Sequence, residues 1–272
     1  MDQRDRAFVP AVVAAMWGHE LRRYARDRGQ VFGGASRTVL WLVILGVGLG
    51  ASLRGIDGFS FAEYVLPGVI TLNILFSSLQ CAIALVRDRE SGILREVLVS
   101  PAPMQSVTLG KLLGGATIAL AQGSIPLLFA PAIGVQLTLT GVLAAWGVMF
   151  LMGLSITAVG VVIATRITSL EGFGAISNGV IQPLYFLSCS IFPLQGTIGP
   201  GGGEAVGWTV ALPRWLEVLV VANPVSYQVD LLRGTLIGLR QLPLVADLGV
   251  SLAMPVVAAV VALAAMGRMG KG

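Results

Sequence analysis

Hydrophobic positions along this chain fall in long uncharged blocks separated by short polar clusters. The longest block lies between Lys111 and Arg166: 54 consecutive residues without Asp, Glu, Lys or Arg. A bilayer core about 30 Å thick needs roughly 20 apolar residues per helical crossing. This block therefore holds two crossings, joined near 134–141, where Gln136, Thr138 and Thr140 interrupt the apolar pattern. The same reading predicts six crossings, at about 36–53, 64–86, 106–133, 141–165, 173–194 and 247–266. The first is short, since Arg37 and Arg54 bracket only 16 residues; long arginine stems can snorkel to opposite interfaces. Glycines and prolines within the spans, among them Gly46, Gly48, Pro126, Pro131, Gly153 and Gly160, suit membrane helices by permitting close packing or kinks.

Three segments are not simple crossings. Over 8–30, Val9, Val12, Val13, Met16, Trp17, Leu21 and Tyr24 recur at helical spacing, with His19, Glu20, Arg22, Arg23 and Arg26 on the other face. This predicts a basic amphipathic helix lying in the interface plane on the cytoplasmic leaflet, either a plain anchor or a lever. Residues 87–101 form the densest charge cluster; Ile93, Leu94, Val97 and Leu98 share one face of a short helix that Pro101 and Pro103 end. Such a stripe reads either as a solvated loop or as a docking helix. The stretch 195–245 opens with a flexible Gly/Pro link at 199–203. Two apolar runs of about 10 residues follow, a length that favours re-entrant or interfacial pieces. Pro213 suits a first turn, and Pro224 separates two short helices predicted to dip into the outer leaflet.

Composition agrees with a membrane protein: 55% of residues are hydrophobic and only 12% charged. With the N-terminus placed in the cytoplasm, 14 of the 18 Lys and Arg residues fall on the inner side, the positive-inside pattern. An even number of crossings returns the C-terminus to the same side. The net charge of +4 thus reports orientation and not nucleic-acid binding. Cys81 and Cys189 sit in apolar stretches, and one histidine, His19, leaves no Cys/His cluster for a metal. Gly110-Lys111 is followed by Leu112, where a phosphate loop needs Ser or Thr. Energy for any transport must come from a partner.

The ordered motifs resemble those of a known family. They are Arg89-Glu90-Ser91-Gly92 with Glu96 and Leu98-Val99-Ser100-Pro101; Phe192-Pro193-Leu194, then Leu212-Pro213-Arg214-Trp215-Leu216; and Asn223-Pro224-Val225-Ser226-Tyr227 with Asp230 and Arg233. Their order and spacing, with six crossings, resemble the membrane subunits of ABC-2 type transporters over nearly the whole chain. Among subgroups the chain looks most like daunorubicin-type drug-export permeases of the bacterial plasma membrane.

The resemblance implies an all-α integral membrane fold: one domain over 1–272, an N-terminal interfacial helix, six transmembrane helices, and short outer helices between the fifth and sixth. It implies pairing with a second permease subunit, identical or related, above two ABC ATPase subunits. ATP and Mg2+ would bind at those ATPases, and this non-catalytic chain would hold no cofactor. Arg89, Glu90, Leu94, Arg95, Glu96 and Leu98 would contact the ATPase. Pro213, Trp215, Asn223, Pro224, Tyr227, Asp230 and Arg233 would shape the outer end of the pathway.

The apolar crossings suit an amphipathic or hydrophobic cargo, drug or lipid-like. Candidate lining residues are Asn73, Ser77, Gln80, Gln122, Ser155, Asn178 and Gln182; for each, helix–helix hydrogen bonding is the alternative. A permease for polysaccharide or lipid-linked glycan shares the same plan. An ion-coupled carrier would place Asp, Glu or His within its crossings; here they fall outside the predicted spans or at their boundaries. An intramembrane hydrolase would need a nucleophile with a base, and no GxSxG elbow occurs.

Overall fold

The computed structural model describes residues 8–49, 58–92, 102–191, 193–198 and 208–269. Leu94, Arg95, Glu96 and Leu98 of the expected docking helix, and the 199–203 link, lie outside the described residues. In chain order the elements are α1 (Pro10–Arg26), α2 (Arg28–Trp41, continued by π-helical turns over Leu42–Leu49), α3 (Phe61–Glu90), α4 (Met104–Leu127, followed by a 3-10 turn at Pro131–Ile133), α5 (Leu139–Arg166), α6 (Leu170–Phe186), β1 (Gln195–Ile198), β2 (Trp208–Ala211), α7 (Arg214–Ala222), α8 (Pro224–Ile237) and α9 (Leu244–Met269).

Local chemistry sets the helix starts. Ser60 and Glu63 form a reciprocal capping box on α3: Glu63 N donates to Ser60 Oγ at 3.2 Å, and Ser60 N donates to Glu63 Oε2 at 2.7 Å. Each bond satisfies an amide that the helix itself leaves open. Thr138 and Ser169 accept from the Gly141 and Gly172 amides and start α5 and α6 in the same way. Asp27 separates α1 from α2 and caps the latter through the Gln30 amide.

Among the described residues, four helices are long and apolar enough to cross a bilayer: Phe61–Glu90, Met104–Ile133, Leu139–Arg166 and Leu244–Arg268. They coincide with the second, third, fourth and sixth predicted crossings. Neighbouring helices of α3, α4, α5 and α6 alternate in direction. The turn at Gly134 lies against Glu63 at one end of α3. At the other end Lys111 meets Asp88, and Glu90 meets the start of α6. This second end carries Arg87, Arg89, Lys111 and Arg166 and is called the basic end below.

Helix α3 is the central element, contacted by α2, α4, α5, α6 and α8. In its most apolar stretch 78% of residues are buried, against 17% for α9, whose Leu252, Val256, Val257 and Val260 face outward. Backbones approach closely where side chains vanish. A Cβ added at Gly153 would sit 2.7 Å from the Ala119 Cβ, and one at Gly115 would sit 2.4 Å from Thr157. This is the small-residue packing used where the hydrophobic effect gives helices no reason to associate.

Three expectations are corrected. The fifth predicted crossing, 173–194, is a helix only to Phe186; its 17 residues span roughly 25 Å, and the chain then turns through Cys189 at φ 55°. The segment after it is not wholly helical. β1 and β2 pair antiparallel, Gln195 opposite Ala211 and Ile198 opposite Trp208, as suits residues rich in Thr, Val, Ile and Trp. Arg37 does not reach for an interface. Its guanidinium carbon lies 4.1 Å from the ring centre of Phe76, halfway along α3, where the face of the aromatic ring supplies the negative potential.

Candidate functional sites at the two ends of the bundle

At the basic end, α1 runs alongside α4. Its contacts climb from Ser106 to Gln122, roughly 24 Å along the helix. Val9 N donates to Ser106 Oγ at 2.8 Å, Trp17 Nε1 to Thr117 Oγ1 at 3.1 Å, and Gln122 Nε2 to the Tyr24 hydroxyl at 2.6 Å. Glycine makes the approach possible. A Cβ at Gly110 would lie 2.5 Å from the Met16 Cβ, and one at Gly114 would lie 2.7 Å from the Glu20 Cβ. α1 thus packs on protein along its length, where the sequence predicted a helix resting on lipid.

Glu20 also departs from expectation. Placed on the polar face by periodicity, it is 3% exposed. Lys111, itself 7% exposed, explains this. Its Nζ donates to Glu20 Oε1 at 2.9 Å and to Asp88 Oδ2 at 3.1 Å, and Arg23 stands 3.6 Å from Asp88. One ammonium clasps α1, α3 and α4 together. Glu20, Arg23, Tyr24, Gln80, Cys81 and Arg87 line a small polar cavity beside it, of about 40 Å³. Burial pushes the Tyr24 phenol above its ordinary range, outweighing the Gln122 hydrogen bond that lowers it. The hydroxyl therefore stays protonated. Sequence reasoning missed this clasp, although a lone Lys111 inside an apolar helix signals a buried counter-charge.

Of the predicted ATPase-facing residues, Arg89 and Glu90 lie in the last turn of α3. Glu90 Oε1 accepts from Leu170 N at 3.0 Å, joining the end of α3 to the first turn of α6. Arg89 has one guanidinium nitrogen, Nη1, buried without a hydrogen-bond partner.

The opposite end contains the 213–233 motif. Asn223 and Pro224 break the chain between α7 and α8. A helix break within an apolar environment must satisfy its open backbone groups internally, and the motif does so with side chains. Asn223 Oδ1 accepts from Val225 N at 3.0 Å, while its Nδ2 donates to Leu184 O at 2.8 Å. Pro224 takes the first helical position, where no amide is needed. Ser226 Oγ donates to Val220 O, and the Tyr227 hydroxyl to Val221 O, covering the last carbonyls of α7. α8 then reaches across the bundle: Gln228 Nε2 donates to Ser155 Oγ midway along α5, at 3.4 Å. Pro213 caps α7, and Trp215 is 67% exposed on its outer face.

Asp230 and Arg233 are both fully buried. Asp230 Oδ1 accepts from Arg233 Nη1 at 3.3 Å, and its two oxygens accept from the Gln241 and Leu242 amides at 2.9–3.0 Å. Arg233 donates to Cys189 O and lies 4.2 Å from the ring centre of Tyr64. The Cys189 carbonyl, three residues past the end of α6, also accepts from the Tyr64 hydroxyl, while at the helix end itself Leu184 O accepts from Asn223 and Leu187 O from Ser226 Oγ.

A model of the ABC-2 type transporter family matches residues 11–201. The chain belongs to the ABC-2 type transporter family. It is 24% identical over 245 residues to the inner membrane transport permease YadH of Escherichia coli, covering 87% of each chain. It is 23% identical over 212 residues to nodulation protein J of Rhizobium leguminosarum, covering 76% of this chain and 75% of that one. It is 22% identical over 204 residues to the transport permease ycf38 of Cyanophora paradoxa, covering 74% of this chain and 65% of that protein, under two thirds of its length.

Within this ABC-2 chain the predicted lining residues separate into two groups. Asn73, Ser77, Gln122 and Ser155 are buried in the bundle and bonded within it. Asn73, for example, donates to Thr38 Oγ1 at 3.0 Å and to Val69 O at 3.1 Å. Of these four, Asn73 Oδ1 and Gln122 Oε1 are buried without a hydrogen-bond partner. Asn178 and Gln182 lie on the exposed face of α6, and Gln80 on that of α3. The seven do not converge on one enclosed path within a single subunit.

Proposed function

We propose that this chain is the membrane subunit of an ATP-driven exporter, moved by a separate ATPase through its basic end. The observation that carries this reading is the Lys111–Glu20–Asp88 clasp with the Glu90–Leu170 bond beside it. Together they tie α1, α3, α4 and α6 to the segment leading into 93–101, so a push on that segment reaches four helices at once. Two ATPase copies, binding ATP and Mg2+, would supply the push. Arg89, Glu90, Leu94, Arg95, Glu96 and Leu98 would form the receiving surface.

Six crossings complete the plan, with α2 and its π-helical continuation as the first and α6 as the fifth. Both termini lie in the cytoplasm of a bacterial inner membrane. α7 and α8 form the outer re-entrant element. Support for the pathway comes from α6, where Asn178 and Gln182 share one exposed face with Phe186. Two amides one turn apart are costly against hydrocarbon. A second permease subunit facing α6 would enclose them, placing the path between subunits. Its mixed lining fits an amphipathic or hydrophobic cargo, drug or lipid-like.

The test is the double substitution E90Q/E96Q in the reconstituted complex. Transport should fall while ATP hydrolysis continues and the complex stays assembled. Unchanged transport per ATP would overturn the assignment of the basic end as the coupling surface.

A further inference from the structure

We propose that the slot between α2 and α3 binds an anionic lipid, whose headgroup enters at the basic end and settles on Arg37. Helix α3 is enclosed by protein over most of its length. Between Tyr64 and Val86 the positions that are not buried are Phe76, Gln80, Cys81 and Ile83. Phe76, Gln80 and Ile83, with exposed Arg87 after them, follow at helical spacing and leave one open stripe. From Phe76 to Arg87 the stripe runs roughly 16 Å. Its inner part, Gln80 to Arg87, borders the polar cavity of about 40 Å³ at the basic end, shared with Arg23 of α1 and Gln30 of α2. Its outer end is Phe76, on whose ring the Arg37 guanidinium of α2 lies.

Arg37 is the group that needs a counter-charge. Phe76 stands halfway along the 30 residues of α3, so the guanidinium lies at the depth of the hydrocarbon core, where an uncompensated charge is costly. Arg37 is half-buried. Among the described residues it meets no carboxylate within 4 Å and no hydrogen-bond acceptor. The Phe76 ring offsets only part of its charge. The acidic residues at the basic end are committed elsewhere: Glu20 and Asp88 to Lys111, Asp88 also to Arg23, and Asp27 to the Gln30 amide. Arg87, at the mouth of the slot, likewise has no carboxylate within 4 Å among the described residues, and its charge draws an anion inward.

The surroundings specify the rest of the ligand. Inward from Arg37 the slot is polar, through Gln80, Gln30 and Arg87. Outward, α2 carries Leu40 and Ile44 on the Arg37 side, three and seven residues on, and both are exposed. Hydrocarbon chains can lie against these two. A free anion at this depth would lose its water with nothing to offset the loss. A phosphate carried on apolar chains meets both conditions, and its oxygens accept charge-assisted bonds from a guanidinium. The site does not rest on the coupling surface proposed above, which E90Q/E96Q tests separately.

The experiment is native mass spectrometry of the full chain, released from nanodiscs that hold equal phosphatidylglycerol and phosphatidylcholine with the same acyl chains. The wild type should retain one phosphatidylglycerol per chain, favoured about tenfold or more over phosphatidylcholine, as charge-assisted hydrogen bonds warrant. R37Q should abolish that preference. Q80W, which fills the slot and leaves every charge in place, should cut retention to a similar degree. R22Q removes an exposed charge of α1 outside the slot and should leave the preference intact. Equal retention of the two lipids by the wild type would overturn the proposal, as would R37Q or Q80W chains that still select phosphatidylglycerol. Loss of the preference in R22Q would also overturn it, by showing a diffuse basic surface. Added inorganic phosphate should leave the lipid in place; its displacement would show an anion site with no need of chains and sink the lipid assignment. Should R37Q fail to fold, Q80W and the wild-type preference decide the matter.

Discussion

Replacing Lys111 with Met removes the ammonium from the clasp and leaves a side chain of similar length. Glu20, with a side chain 4% exposed, then has no counter-charge. Asp88, at 18%, keeps Arg23 at 3.6 Å. Breaking a buried ion pair by deleting one partner costs about 3–5 kcal/mol, and Glu20 carries most of that cost. α1 relieves it by lifting from α4, which exposes Glu20 to water. Since about 1.4 kcal/mol is a factor of ten, the open form of α1 should be enriched roughly 10²- to 10³-fold. Hydrogen–deuterium exchange of the amides in 10–26, measured in nanodiscs, reads this ratio directly when closing is fast. The double variant E20Q/K111M restores much of the protection, because a neutral buried pair carries no uncompensated charge. Exchange of K111M within about threefold of wild type would refute the reasoning. It would mean that the glycine contacts and apolar packing of α1 hold it unaided.

Gly114→Val places a branched side chain where a Cβ already lies 2.7 Å from the Glu20 Cβ; α1 should separate from α4, with a lower thermal midpoint and faster proteolysis after Arg22 and Arg23. Asn223→Ala removes both the α8 cap and the donor to Leu184 O, a loss of about 1–2 kcal/mol for the cap alone. The thermal midpoint should drop, and Asn223→Asp should recover the cap while leaving Leu184 O unsatisfied, giving an intermediate value.

Much of the architecture was legible in the chain because the bilayer imposes a length rule on apolar segments. The predicted second, third, fourth and sixth crossings match α3, α4, α5 and α9 within a few residues, since each is built on a long apolar run bounded by caps or charges. The Asn223-Pro224 break was also readable, because proline and a capping side chain act locally. The fifth crossing failed for one local and one non-local reason. Pro193 is unfit for a helix interior, and at the end of α6 Asn223 takes the Leu184 carbonyl and Ser226 the Leu187 carbonyl, each 39 residues away.

Sequence alone fixed that this is a helical membrane chain, where most spans lie, and that its charges gather at one end. These follow from hydropathy, a property summed over neighbours. The tertiary structure decided which charges are buried and with whom: Glu20 with Lys111 across 91 residues, Arg233 with the Cys189 carbonyl, and Arg37 on Phe76. Periodicity gives the face on which a charge sits and says nothing of what packs there. The worth of a charge in a membrane depends on its partner, and that partner is a matter of three-dimensional contact.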